Sequence, residues 1–166
     1  GIAMPLPIWR FWRAYGADML GPPLRAAVSV QGKFQQDFAT IRLEYDPHRD
    51  EHAVYALPLQ ATPLVGDVVA PQDDTSVMQF AGTKATVQDA FATYYQRIDG
   101  TFVLGMPLDN ERLVASTDAP PESRQLFTYG VIRYNEPANR VERIPVVWQQ
   151  AVMQQLVAPT QPFQIR

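Results

Sequence analysis

The chain has 166 residues, 46% of them hydrophobic, and a formal net charge of -3; that suits one ordinary domain or two small halves and argues against wholesale disorder. Lys33 and Lys84 are its only lysines, so the cation density that nucleic-acid binding requires is missing. With no cysteine there is no disulfide framework, thiolate zinc site or cysteine nucleophile, and no apolar run reaches the roughly 18 residues of a bilayer span.

The opening "GIAMPLPIWRFW" lacks the basic start, apolar stretch and cleavage site of a signal peptide. Gly1 reads as a cloning remnant, which leaves room for an upstream export signal. Ile8, Phe11, Trp12 and Tyr15 recur at helical spacing behind Pro7 and ahead of Gly16, predicting a helix over about residues 7–15. "MLGPPL" follows as a Gly-Pro joint. Phe34, Phe38, Ile41, Leu43 and Tyr45, the last three at strict alternation, then predict a strand, with "HAVYALPL" returning after the Asp46-Pro47 turn.

Residues 61–85 read as a linker that packs in part. "TVQDAFATYYQRIDG" predicts a second helix, with Thr86 and Asp89 forming a capping box, Val87, Phe91, Tyr94, Tyr95 and Ile98 on the apolar face, and Gly100 as the stop. "VLGMPL" repeats the joint. "QLFTYGVIRYN" and "RVERIPVV" repeat the strand pair, and Trp148, Val152 and Leu156 predict a terminal helix over about 146–157.

The two halves align. Gly21 and Gly105, Pro23 and Pro107, and Gly16 and Gly100 each stand 84 positions apart; Gln36 and Gln125, Phe38 and Phe127, and Tyr45 and Tyr134 stand 89 apart. The extra five residues fall in "DNERLVASTDAPPES", a loop where added length is tolerated. The reading is of two copies of one unit, about 7–60 and 86–147, with Gly21, Pro23, Gly105 and Pro107 as structural joints.

The motif order helix, G-x-x-x-L-G-x-P-L, Q-x-F and L-E-Y-D-P resembles the LGFP-like repeats attached to secreted bacterial cell-wall proteins. "FWRAYGADMLGPPL" with "QDFATIRLEYDP", and "YYQRIDGTFVLGMPL" with "QLFTYGVIRYN", carry the likeness. It implies an extracellular or cell-envelope location, an anchoring or binding role beside a neighbouring domain, and no catalytic residues.

Three groups of residues bear on chemistry. Asp46, His48, Asp50 and His52 alternate in "EYDPHRDEH"; on an extended strand they would share one face and offer oxygen and imidazole to a metal, whereas Pro47 favours a hairpin tip with solvated charges. Glu44, Asp46, Asp109 or Glu111 would supply paired carboxylates for glycoside hydrolysis, against the alternative of surface charge. Serine hydrolysis has only His48 and His52 as histidine bases, and none of Ser29, Ser76, Ser116 or Ser123 lies in G-x-S-x-G. Aromatic rings are the remaining candidates for ligand contact. Trp9 lies off the apolar stripe and would stack on a sugar if exposed, or else pack inside; Tyr45 and Tyr134 occupy equivalent positions with the hydroxyl at the edge of a core.

The expected fold is α+β: two pseudo-equivalent helix-plus-β-hairpin units sharing one core, with a C-terminal helix. The expected function is a non-catalytic envelope module that binds a cell-wall glycan or a surface protein, without a cofactor, no Walker or G-x-G-x-x-G pattern being present. The alternatives are a structural or protein-interaction domain using loop 109–123 and, less favoured, a metal-dependent enzyme using residues 44–52.

Overall fold

A computed structural model describes residues 1–72 and 76–160. The chain is α+β and divides into two compact units, Gly1–Leu59 with the segment from Pro145 onward, and Gln60–Ile144. Among the described residues no helix is long and apolar enough to cross a membrane.

The first unit opens with α1 (Leu6–Tyr15) and the single turn α2 (Ala17–Leu20). Pro7 sits in the first turn of α1, where its missing N–H costs nothing, and Gly16 at φ 95° ends it. Four strands follow, β1 (Val28–Val30), β2 (Lys33–Asp37), β3 (Arg42–Tyr45) and β4 (Val54–Ala56), paired antiparallel in chain order. The expected hairpin thus extends into a four-stranded meander. Its added strand, β1, joins β2 through Gln31 and Gly32, both at positive φ as a tight type I′ hairpin turn requires. Ile8, Leu20, Phe38, Ile41 and Leu43 are fully buried here, each worth about 1.5–3 kcal/mol of removed apolar surface.

The second unit begins in the expected linker, which contributes structure. β5 (Asp67–Val68) joins the main sheet, and β6 (Met78–Gln79) pairs with β7 (Thr86–Val87). α3 (Asp89–Arg97) and the turn α4 (Gly100–Val103) come next. The capping box does not form. Thr86 belongs to β7, where its N–H donates to Asn110 Oδ1 at 2.9 Å, and α3 starts behind Gln88 without a side-chain cap. Gly100 likewise begins α4 instead of ending α3; the reversal falls on Asp99, at φ 57°. A Cβ on Gly100 would stand 2.4 Å from the Tyr95 ring, which is why glycine is needed there.

β8 (Arg112–Val114), β9 (Glu122–Phe127), β10 (Gly130–Asn135) and β11 (Arg140–Arg143) complete a five-stranded sheet in the order β11-β10-β9-β8-β5. Loop 109–123 is therefore partly strand. Val87, Phe91, Ala92, Tyr94, Tyr95, Leu104, Phe127, Ile132 and Val141 form the core of this unit. The terminal helix α5 (Val146–Met153) is shorter than expected, capped by Gln154 and turned by Gln155 at φ 58°. It returns to the first unit, where Trp148 N–H donates to Ala39 O at 3.1 Å.

The joints match contact by contact. In the first unit, Leu24 N–H donates to Asp37 O, Ala39 N–H to Pro22 O and Thr40 N–H to Leu20 O; in the second, Leu108 donates to Leu126, Thr128 to Met106 and Tyr129 to Leu104. Pro23 bridges Phe38, and Pro107 bridges Phe127. A helix aromatic closes each joint: Trp12 Nε1 donates to Gly21 O at 2.7 Å and the ring stacks on Phe38, while Tyr95 Oη donates to Gly105 O at 3.0 Å and stacks on Phe127. Two fully buried glutamines repeat as well. Gln36 Nε2 donates to Ala3 O and Arg25 O at 3.2 and 3.0 Å, and Gln125 Nε2 to Thr86 O and Asp109 O at 2.7 and 2.9 Å.

Gly21 and Gly105 hold φ of 77° and 74°, a left-handed region that side chains resist. A Cβ on Gly21 would lie 2.5 Å from Ala39 Cβ, an atom fixed to the backbone; on Gly105 it would meet the Tyr129 ring at 2.9 Å, which can swing. Gly82 has φ 86° and open space. Denaturant unfolding should therefore rank the alanine variants: Gly21→Ala costing about 2–4 kcal/mol, Gly105→Ala about 1–3 and Gly82→Ala about 1. Equal costs at all three would mean that the joint tolerates a side chain.

Candidate functional site

Two hollows in the second unit share Ala90 and Tyr134. One, of about 300 Å³, is lined by Val69, Gln72, Asp89, Phe91, Glu111 and Ser123 besides the shared pair. The other, of about 400 Å³, adds Thr93, Tyr94, Arg97, Asn139, Arg140 and Val141. Both volumes fall in the usual range of small-molecule sites, ~300–1,000 Å³.

The first hollow is built where the supposed linker is tied to the start of α3. Gln88, itself buried, donates from Nε2 to Val69 O at 2.9 Å, and Val69 N–H donates to Glu111 O at 3.0 Å. Asp89 accepts from Gln72 N–H at 2.9 Å on Oδ2 and from the Ser76 hydroxyl on Oδ1. Asp89 also carries φ 50°, a conformation that costs about 1 kcal/mol or more outside glycine and needs surrounding contacts to hold it. Arg112 fixes the same wall, bonding Gly66 O at 3.0 Å and pairing with Asp109. Burial pushes the Glu111 carboxyl above its ordinary range; hydrogen bonds from Ser123 and Gln88 oppose this, and the charge of Asp89 adds to it.

Tyr134 stands between the hollows, its ring packed against the core and its hydroxyl donating to Asn139 Oδ1. On the far side Arg97 lies over the Tyr94 ring at 5.3 Å, and Arg140 Nε donates to Glu142 Oε1 at 2.8 Å. Carboxylates therefore line one side of Tyr134 and guanidiniums the other.

The remaining residues singled out by sequence fall elsewhere. Trp9 is 39% exposed, with the Arg13 guanidinium 5.0 Å over its ring. Tyr45 is half-buried and stacked on Phe34 at 6.1 Å. The alternation of Asp46, His48, Asp50 and His52 does not produce a shared face, because β3 ends at Tyr45 and the four lie in the turn that follows. Asp46 has both oxygens engaged, Oδ1 by the His48 N–H at 3.0 Å and Oδ2 by Lys33 at 3.2 Å, which keep its carboxyl below the usual range. Among the described residues no group of three or more His, Asp or Glu side chains is arranged to hold a metal ion; the four residues form a hairpin tip, the alternative that Pro47 favours.

Of the candidate carboxylates, Glu44 is bonded by Gln35, Tyr55 and Lys33, and Asp109 by Arg112. Glu111 lines the first of the two hollows. Sequence marks Asp89 only as half of a capping box and does not mark Arg97, Asn139 or Arg140; the positive φ of Asp89 has no sequence signature, and the linker's role as a wall depends on long-range pairing. Compared with known proteins, the chain matches no family model and no curated protein.

The raised carboxyl of Glu111 gives a signed pH dependence. Its folded pKa lies above its ordinary value of 4.5, so the folded state holds the proton longer and the contribution to stability falls as pH rises from about 4.5 through the folded pKa. Glu111→Gln removes that loss. Melting at about pH 4 and about pH 7 should show the variant gaining on the parent chain toward neutral pH, and a gain that is flat or reversed would contradict the desolvated carboxyl.

Proposed function

We propose that the chain is a non-catalytic module of the cell envelope that binds a cell-wall glycan along the groove crossing Tyr134. The observation that carries this reading is the order of groups in the second unit: an aromatic ring flanked by Asp89 and Glu111 on one side and by Arg97 and Arg140 on the other. Sugars present apolar C–H faces that stack on such rings, while their hydroxyls accept from guanidinium and donate to carboxylate. The likeness of both joints to LGFP-like repeats supports an extracellular or envelope setting, with the two units as diverged copies of which the second carries the groove. Trp9 and Tyr45, in the first unit, are secondary candidates, because Arg13 covers one ring and Phe34 stacks on the other.

Retention on insoluble cell wall and on soluble glycans tests the assignment. Tyr134→Ala, checked for folding by circular dichroism, should weaken binding about tenfold or more, equivalent to about 1.4 kcal/mol, while Trp9→Ala stays within about twofold of the parent chain. If walls and glycans fail to retain the parent chain while an envelope protein does, the module is a protein-interaction domain instead.

A further inference from the structure

We propose that the Arg97 end of this groove is a carboxylate-binding subsite, so that the ligand taken there is acidic; the sugar context rests on the glycan reading above, the subsite itself on the geometry of Arg97. Arg97 closes α3 and is solvent-exposed, its guanidinium carbon lying over the Tyr94 ring at 5.3 Å from the centroid. Arg112, Arg124, Arg133 and Arg140, in the same unit, each pair with a carboxylate. Arg97 forms no ion pair and no hydrogen bond among the described residues. Stacking on an aromatic face restricts a guanidinium without using its N–H groups, so the fork stands oriented and unspent.

A second donor lines the same hollow. Asn139 accepts the Tyr134 hydroxyl on Oδ1, which fixes its amide plane, and its Nδ2 makes no hydrogen bond among the described residues. Arg140 adds positive charge at the rim although Glu142 holds it. No carboxylate is among the lining residues of this hollow, whereas the hollow beyond Tyr134 has Asp89 and Glu111 and no cation. An anion is therefore repelled from one side and drawn to the other. Carboxylate matches the available geometry, since guanidinium meets it through two parallel N–H bonds and an amide N–H can take a remaining lone pair.

The test uses the full chain, with the Arg97 Nε–H resonance followed during titration with glucuronate, the methyl ester of glucuronate, and acetyl-alanine as a sugar-free carboxylate. Glucuronate should move the resonance at a concentration about tenfold or more below that of the ester, a difference of about 1.4 kcal/mol. Arg97→Gln should bring glucuronate affinity, read by calorimetry, down to that of the ester, and Arg97→Lys should restore only part of it, because a point charge lacks the fork. A stronger response to glucuronate than to acetyl-alanine supports a sugar acid; an equal or stronger response to acetyl-alanine overturns the sugar acid in favour of a peptide carboxylate. Equal action of acid and ester, or unchanged affinity in Arg97→Gln, overturns the subsite. Wall retention without an Arg97 response would leave the module reading standing and remove the subsite, and an Arg97 response without wall retention would do the reverse.

Discussion

A buried glutamine amide holds each joint closed, and the rest of each unit is arranged around it. The joint is a sharp backbone path, and beside each one a fully buried glutamine faces a carbonyl before the helix and another after the Gly-Pro turn. A buried side-chain amide left without partners costs about 1–3 kcal/mol. Gln36 and Gln125 each supply two donors, one to the chain before the helix and one to the chain after the joint, which ties two segments distant in sequence to one strand. The cost is visible in the same residues, for Oε1 of both glutamines is buried without a hydrogen-bond partner. Two donor bonds, together about 1–3 kcal/mol, roughly offset one acceptor left unpaired, so the clamp fixes geometry more than it adds stability.

In the second unit the same clamp positions the groove. Thr86, whose carbonyl it holds, leads into Gln88 and Asp89; Asp109, whose carbonyl it also holds, leads into Asn110 and Glu111. Asn110 adds a bond back to Thr86. The two carboxylates that line the first hollow are thus carried on segments secured to one strand of the sheet, β9, which also bears Ser123. Arg143 serves the opposite end of the unit. Fully buried, with its pKa lowered to about 10 by desolvation, it donates to Val103 O and Tyr129 O, so the end of α4 and the β9–β10 turn are fixed from inside. A Cβ on Gly130 would stand 2.6 Å from its Nη2, which is why glycine occupies the start of β10.

The units differ in their surfaces while sharing the geometry of their joints. In the first, Lys33 bridges Glu44 and Asp46 beside Tyr55, and the charged groups satisfy one another across β2, β3 and β4. In the second, the segment from Gly66 to Gln72 adds a strand and a wall, and the polar groups beneath it face a hollow instead. Much of the framework was legible in sequence because it depends on local rules: apolar spacing gave both long helices, and the Gly-Pro joints put Gln36 in register with Gln125 and Phe38 with Phe127. The short strands β1 and β8 are not legible in sequence because three residues such as Val-Ser-Val carry too little periodicity. Thr86 was misread as a cap since strand pairing with Met78 and Gln79 outcompetes a local motif. The site was mostly hidden. Tyr134 emerged from the repeat register, but Asp89, Arg97 and Asn139 become neighbours only through the packing of α3 on the sheet and through backbone conformations that composition does not announce.

The side-chain amide protons of Gln36 and Gln125 offer the most direct test of the clamp. Each pair is buried and bonded to two carbonyls, so hydrogen exchange followed by NMR should find them protected as strongly as the core backbone amides of their own unit, with exchange limited by unfolding of that unit. Exchange at the rate of a solvated glutamine side chain, in a chain whose core backbone amides remain protected, would contradict the account.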